Sequence, residues 1–315
     1  MTAKSGCNSE SGMSIIEVMI LAVVISMLMI VMTESLTTMS SVRMEQKAHF
    51  RVGDVADHVA RRIQTDVNLA ARIFGGNSDD LDYLRSMAIG AALLRSGRRL
   101  PSVTQNGFFR PDAEGSVETG NILFLALRGP RVQLQLEGGT ARLVQSIQFV
   151  IYAPVDDEHH LDLVRWQSQP LVNYFDIIGI KNEVVRADAL RQLAENDIQL
   201  AWDPYGQRSS ALFEIAGSSL QPVTADRLVQ GKEDGADSRP FVMRHMQLPT
   251  DQSQIGILLP AYARVASGFH GAFEIKVDGS ISGKLVLLRF VVASTQPGLK
   301  RHVWSEIHRF LPTNG

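Results

Sequence analysis

Cysteine is almost absent from these 315 residues: Cys7 stands alone, so no intrachain disulfide can form and any exported domain must be held by its core. Long runs of one charge are absent too. The 31 Lys and Arg residues are scattered among 33 Asp and Glu, for a net charge of −2, which leaves no electrostatic footprint for a nucleic-acid partner. No Gly-x-Ser-x-Gly elbow, HExxH helix or paired CxxC occurs, so the commonest signatures of serine hydrolases and zinc sites are missing. Neither an internal repeat nor a low-complexity tract is found. No catalytic residue and no cofactor is expected. Proline and glycine are missing from Met13 to Val52, so nothing there interrupts a helix.

The chain does contain an apolar run from Met13 to Met32. As a helix it would be about 30 Å long, the thickness of a hydrocarbon core. It is too apolar on every side for a surface helix and needs lipid or other helices around it. One carboxylate, Glu17, lies inside it. On insertion scales a charge costs about 2.5–3.5 kcal/mol at the centre of a spanning helix and less toward its end, so Glu17 needs a partner. An amine from another subunit would serve.

The segment Gly12-Met13-Ser14-Ile15-Ile16-Glu17 resembles the processing and methylation site of type IV prepilins and type II secretion pseudopilins, in which a short leader ends in Gly and the mature chain carries Glu fifth. The resemblance implies cleavage between Gly12 and Met13 by a prepilin peptidase/methyltransferase and N-methylation of Met13. It also implies that Glu17 neutralises the new amino terminus of a neighbouring pilin. The leader has Lys4 as its only basic residue, while Arg43, Lys47 and Arg51 follow the span, so orientation rests on the motif and not on charge. Chain length and the run Ala60–Phe74 resemble the large minor pilins of the PilW type. The resemblance therefore implies a non-enzymatic minor pilin that helps initiate or cap a type IV pilus. Before assembly it would be a single-pass inner-membrane protein with a periplasmic C-terminal domain, and its partners would be major and minor pilins. The alternatives are a type II secretion minor pseudopilin and a signal-anchored extracytoplasmic binding protein or hydrolase.

Beyond the span, Ala48, Val52, Val55, Val59, Ile63, Val67, Ala70 and Phe74 recur at steps of three or four. That is one stripe of an amphipathic helix. Arg51, Asp54, Asp57, His58, Arg61, Arg62 and Asp66 form its other face, with Asp57 and Arg61 placed for an i,i+4 pair, and Gly75-Gly76 supplies the stop. A helix from Met13 to Phe74 would be roughly 90 Å long, so its first half is expected to protrude while its second lies on the globular part.

From Gly75 onward the pattern turns to strands. Arg131–Glu137 alternates strictly and Gly138-Gly139 turns it toward Leu143–Tyr152, as in an antiparallel hairpin. Asn121–Leu127 is a continuous apolar run suited to a strand buried on both faces. Ala272–Val277 and Lys284–Val292 form a second hairpin around Asp278-Gly279, Arg186–Asn196 reads as a short helix, and Ser218–Ser238 as a long polar loop. The expected class is α+β, pilin-like, with a long N-terminal helix packed on an antiparallel β-rich domain. Its expected parts are a leader at 1–12, a membrane and assembly helix at 13–33, the amphipathic half at 34–75 and a globular domain at 76–315. Two lobes would divide near 218–238.

Three further clusters carry groups that could bind a ligand. Gly279–Leu285 has glycines like those of a phosphate loop, but three residues separate them and Leu285 stands where magnesium would need a hydroxyl, so it reads as a hairpin tip. The acids and histidines of Asp156–Asp162 match no metal spacing and read as a solvated loop. Asp79, Asp80 and Asp82 offer oxygen ligands for calcium, but the glycine and final glutamate of an EF-hand are missing, and the same acids could cap a helix beginning near Leu81. Trp166, Trp202 and Trp304 read as core or edge packing before a carbohydrate or partner surface.

Overall fold

A computed structural model describes residues 14–105, 119–136, 140–157, 160–196, 198–201, 222–229, 233–234, 237–238, 241–243, 273–277, 284–294 and 303–312. It is a mixed α+β protein with a long N-terminal apolar helix and a largely antiparallel sheet domain. In chain order the elements are α1 (Ile15–Leu69), β1 (Ala70–Phe74), α2 (Ser78–Ser86), α3 (Ala88–Arg95), β2 (Val103–Gln105), β3 (Thr119–Gly120), β4 (Leu123–Leu136), β5 (Thr140–Asp157), β6 (His160–Ser168) and β7 (Leu171–Asn173). Then come α4 (Tyr174–Ile178), α5 (Glu183–Glu195), β8 (Gln199–Ala201), β9 (Pro222–Val229), β10 (Glu233–Asp234), β11 (Asp237–Ser238), β12 (Phe241–Met243), β13 (Phe273–Val277), β14 (Lys284–Ser294) and β15 (Val303–Pro312). The chain divides into two units, one ending at Lys47 and one beginning at Ala48.

In the first unit the described residues are helical from Ile15, and all through Lys47 are exposed except the half-buried Glu45. Hydroxyls in this stretch are satisfied within the helix: Ser26 Oγ donates to Ala22 O at 2.8 Å and Thr33 Oγ1 to Met29 O at 2.7 Å. Back-bonding of this kind hides polar groups that would otherwise face an apolar medium.

In the second unit the expected stripe is present. Ala48, Val52, Val59, Ile63 and Val67 are buried with Ala56 and Ala60, while Val55 is half-buried. They share one core with Leu123, Leu125, Val150 and Tyr152 of one sheet and Phe273, Ile275, Val286 and Leu288 of another. The first sheet runs β1-β4-β5-β6-β9, with β7 on β5 and β8 on β7; the second runs β12-β14-β13-β2, with β15 on β14 and β3 on β13. The two sheets share this core, and β2 and β3, which precede the segment 218–238, join the second sheet while β9 within it joins the first.

Four boundaries need correction. The helix ends at Leu69, not near 75, and Ala70–Phe74 pairs with Leu127–Phe124 instead. Spacing alone fits either state there, and the exposed backbone of the apolar strand β4 decides it. Asn121–Leu127 and Arg131–Glu137 fall largely in one strand, β4, whose register shifts between Arg128 and Arg131. Pro130 is tolerated at that bulge, where Ser146 Oγ donates to Pro130 O at 2.5 Å and Gln145 Nε2 donates to Gly129 O. The segment expected as a loop contains β9, which pairs with β6, and the short strands β10 and β11, which pair with each other. The helix expected at Arg186–Asn196 starts at Glu183, with Asn182 Oδ1 accepting from Val184 and Val185 N–H.

The both-faced burial expected of the strand after Asn121 is observed. Leu123, Leu125 and Leu127 join the core with α1, whereas Phe124 and Ala126 point to a second core with Tyr83, Leu84 and Met87 of α2 and its flank. Phe124 stacks on Phe74 at 4.1 Å between ring centroids. Both hairpins are antiparallel, with Leu136 opposite Thr140 and Val277 opposite Lys284. The tip residues 137–139 and 278–283, and with them most of the phosphate-loop-like run, lie outside the described residues.

Candidate assembly site

The helix start builds the site. Ile15 begins α1, and the backbone N–H of Val18 donates to Ser14 O at 3.1 Å. The N–H of Ile16 donates to Ser14 Oγ at 3.3 Å, and Glu17 Oε2 accepts from the N–H of Ser14 at 3.0 Å. Ser14 and Glu17 thus form a reciprocal capping box, each side chain satisfying a donor that the first turn leaves open. The Ser-x-x-Glu spacing of such a box is present in the sequence, so Glu17 has a local partner besides the intermolecular one the apolar run implies. Gly12 and Met13 lie outside the described residues.

The surroundings of Glu17 are apolar and uncovered within the first unit: Ile15, Ile16, Met19 and Ile20 are all more than half exposed. Between Glu17 and Glu34 no residue is charged. Those sixteen residues would rise about 24 Å as a helix, somewhat less than a bilayer core of about 30 Å. Among the described residues, one helix, α1, is long and apolar enough to cross a membrane.

The acids weighed for calcium do not converge. Asn77 caps α2, its Oδ1 accepting from Asp80 N–H at 2.7 Å. Asp80 is buried and accepts from Gly75 N–H at 2.6 Å and Arg72 Nη2 at 2.5 Å. Arg72 in turn lies over the rings of Phe74 and Tyr83. Exposed Asp82 pairs with Arg85 at 2.7 Å, and Asp79 accepts from Ser78 Oγ. Asp80 therefore ties β1 to α2, one turn earlier than the helix start expected near Leu81. No group of three or more His, Cys, Asp or Glu among the described residues is placed to hold a metal ion. In the Asp156–Asp162 cluster, Asp156 and Asp157 end β5 and pair with Leu161 and His160 of β6. Trp166 is buried in the core with α2 and α3; Trp202 lies outside the described residues, and Trp304 is placed on β15 by its backbone.

Asp66 is the largest departure from the sequence reading: expected on the solvent face, it is buried. Its Oδ2 accepts from Tyr152 Oη at 2.5 Å and from Arg165 Nε at 2.8 Å. Arg165 Nη1 donates to Gln167 Oε1 at 2.7 Å, so the buried charge is paired and its partner is itself satisfied. Burial, then the adjacent Asp66 carboxylate, push the Tyr152 hydroxyl well above the ordinary tyrosine value. The triad fastens the last turns of α1 to β5 and β6. The expected pair Asp57–Arg61 forms at 3.9 Å, and Asp57 also accepts from Arg309 of β15 at 2.6 Å.

Glu17 is held at the start of an uncovered apolar helix, and no other charged residue follows it before Glu34. Comparison of the chain with protein-family models, curated proteins and solved structures gave no match.

Proposed function

We propose that the chain is a non-enzymatic structural subunit, a minor pilin that helps initiate or cap a type IV pilus after cleavage between Gly12 and Met13. The single observation that carries this reading is Glu17: a carboxylate at the first turn of a helix that is apolar on every side as far as Met32 and exposed over that stretch. A signal anchor needs only the apolar helix. A subunit that must leave lipid and pack against other helices also needs a device that sets its register, and one charge in an apolar seam is such a device. In this reading α1 stores the subunit in the inner membrane, Glu17 pairs with a neighbour's amine, and the sheet domain stays on the periplasmic side.

Intact-mass and terminal-peptide mass spectrometry of the protein purified from its host membranes is expected to give a chain that starts at N-methylated Met13. A chain that still starts at Met1, from cells with an active prepilin peptidase, overturns the reading. Gly12→Val is expected to leave full-length protein in the membrane, and normal shortening of that variant rules out the cleavage site. Deletion should remove surface pili; loss of exported enzymes with pili intact would assign the chain to a secretion pseudopilus instead.

A further inference from the structure

We infer that the first turn of α1 holds Glu17 in cis: in the unassembled subunit its carboxylate accepts from the backbone N–H of Ser14, and a neighbour's amine must displace that bond before it can pair with Glu17. The displacement step rests on the function proposed above; the cis hold does not.

Two costs fall at one place. An unsatisfied backbone N–H in hydrocarbon costs several kcal/mol, and a carboxylate there is costly as well. Ser14 N–H is one of the donors that a helix start leaves open, and Glu17 Oε2 lies 3.0 Å from it. One hydrogen bond lowers both costs, and the helix dipole favours negative charge in the first turn. Ser14 Oγ accepts from Ile16 N–H at 3.3 Å, which fixes the serine backbone against which the carboxylate folds. The isolated subunit therefore does not carry a free carboxylate waiting for a partner. Assembly exchanges a neutral donor for a charged one, and the gain is the difference between the two bonds, smaller than the full value of an ion pair in lipid.

Glutamine keeps an acceptor but loses the charge, whereas alanine loses both, so the two variants separate capping from charge pairing. The full chain labelled with carbonyl-13C methionine and 15N serine shows just two Met-Ser amides, Ser14 and Ser40, because Met13-Ser14 and Met39-Ser40 are the only such pairs. In lipid nanodiscs the Ser14 amide of Glu17→Ala is expected to exchange roughly tenfold faster than in wild type, as loss of a hydrogen bond to a charged group implies. Glu17→Gln should stay within a few-fold of wild type, and Ser40 should not change in any variant. Equal Ser14 exchange in wild type and Glu17→Ala overturns the cis hold. For the displacement, a synthetic peptide of residues 13–33 with a free N-methylated amine, co-incorporated in the nanodisc, is expected to speed Ser14 exchange, whereas its N-acetylated counterpart is not. Acceleration by both peptides, or by neither, overturns the displacement. A native chain that starts at Met1 would remove the pilin reading but leave the Glu17→Ala comparison to decide the cis hold alone.

Discussion

From Ile15 to Met44 α1 is exposed all round and rich in large apolar side chains, whereas from Ala48 to Val67 it buries a residue every three or four and presents polar groups between them. The two stretches belong to one uninterrupted helix of 55 residues, so backbone propensity does not distinguish them. The environment each requires does. Burying a Val, Leu, Ile or Met side chain is worth about 1.5–3 kcal/mol, and the second stretch collects that within its own chain against two sheets. For the first stretch the same side chains must find lipid or foreign helices. Mutations in the two stretches should therefore move different observables: domain stability for one, membrane retention and assembly for the other.

The largest effect is expected at Asp66. Asp66→Ala leaves the Arg165 guanidinium and the Tyr152 hydroxyl with no other buried carboxylate in hydrogen-bond contact among the described residues, although exposed Asp226 stands 3.9 Å from Arg165 Nη1. Removing one partner of a buried pair costs about 3–5 kcal/mol. Denaturant unfolding of the detergent-solubilised full chain, followed by tryptophan fluorescence, to which the buried Trp166 contributes, should show a loss of that size. A loss below about 1 kcal/mol, typical of surface pairs, would mean that water reaches the triad.

Paired isoleucines test the contrast directly. Ile63 is fully buried in the core shared by the sheets, while Ile25 is 46% exposed in the first stretch. Ile63→Ala should cost about 2–5 kcal/mol of domain stability, the usual range for truncation in a core. Ile25→Ala should leave the same unfolding transition unchanged within about 0.5 kcal/mol, as expected of a site outside the packed domain. Equal losses at both positions would erase the distinction between the two stretches.

Much of the second unit was readable in advance because its periods are clean. The stripe from Ala48 to Val67 follows 3.6, Arg131–Leu136 follows 2, and the unbroken run Leu123–Leu127 announced a strand covered on both sides. Asp66 was not readable, since a carboxylate at the margin of a stripe looks solvated until Tyr152 and Arg165, 86 and 99 residues away, are brought to it. The sequence Ala70-Ala71-Arg72-Ile73-Phe74 fits a helix turn and a strand equally, and only the apolar edge of β4 decides between them. The segment Pro222–Val229 was hidden because, among the described strands, it pairs with β6 alone, and an edge position demands no regular alternation of apolar residues. At the candidate site the Ser14-x-x-Glu17 spacing is legible in the sequence, but a charge in an apolar run points equally to an intermolecular partner, and only the 3.0 Å contact to Ser14 N–H shows the local one.

The smallest effect sharpens the account of the triad through pH. At neutral pH Tyr152→Phe removes one donor to Asp66 while Arg165 remains at 2.8 Å, so the cost should be about 1–2 kcal/mol, far below that of Asp66→Ala. Burial first, and the negative charge of Asp66 second, hold the Tyr152 hydroxyl above its ordinary value of 10.0. The unfolded chain releases that proton near pH 10 while the folded chain keeps it, so the folded state binds more protons above that pH. Stability contributed by Tyr152 is thus complete below pH 10 and declines as pH rises past it. The stability difference between wild type and Tyr152→Phe should be constant from pH 6 to 9 and shrink above pH 10. If the difference grew with alkaline pH, the Tyr152 proton would be released more readily in the fold than outside it, and Tyr152 could not be the donor that shares Asp66 with Arg165.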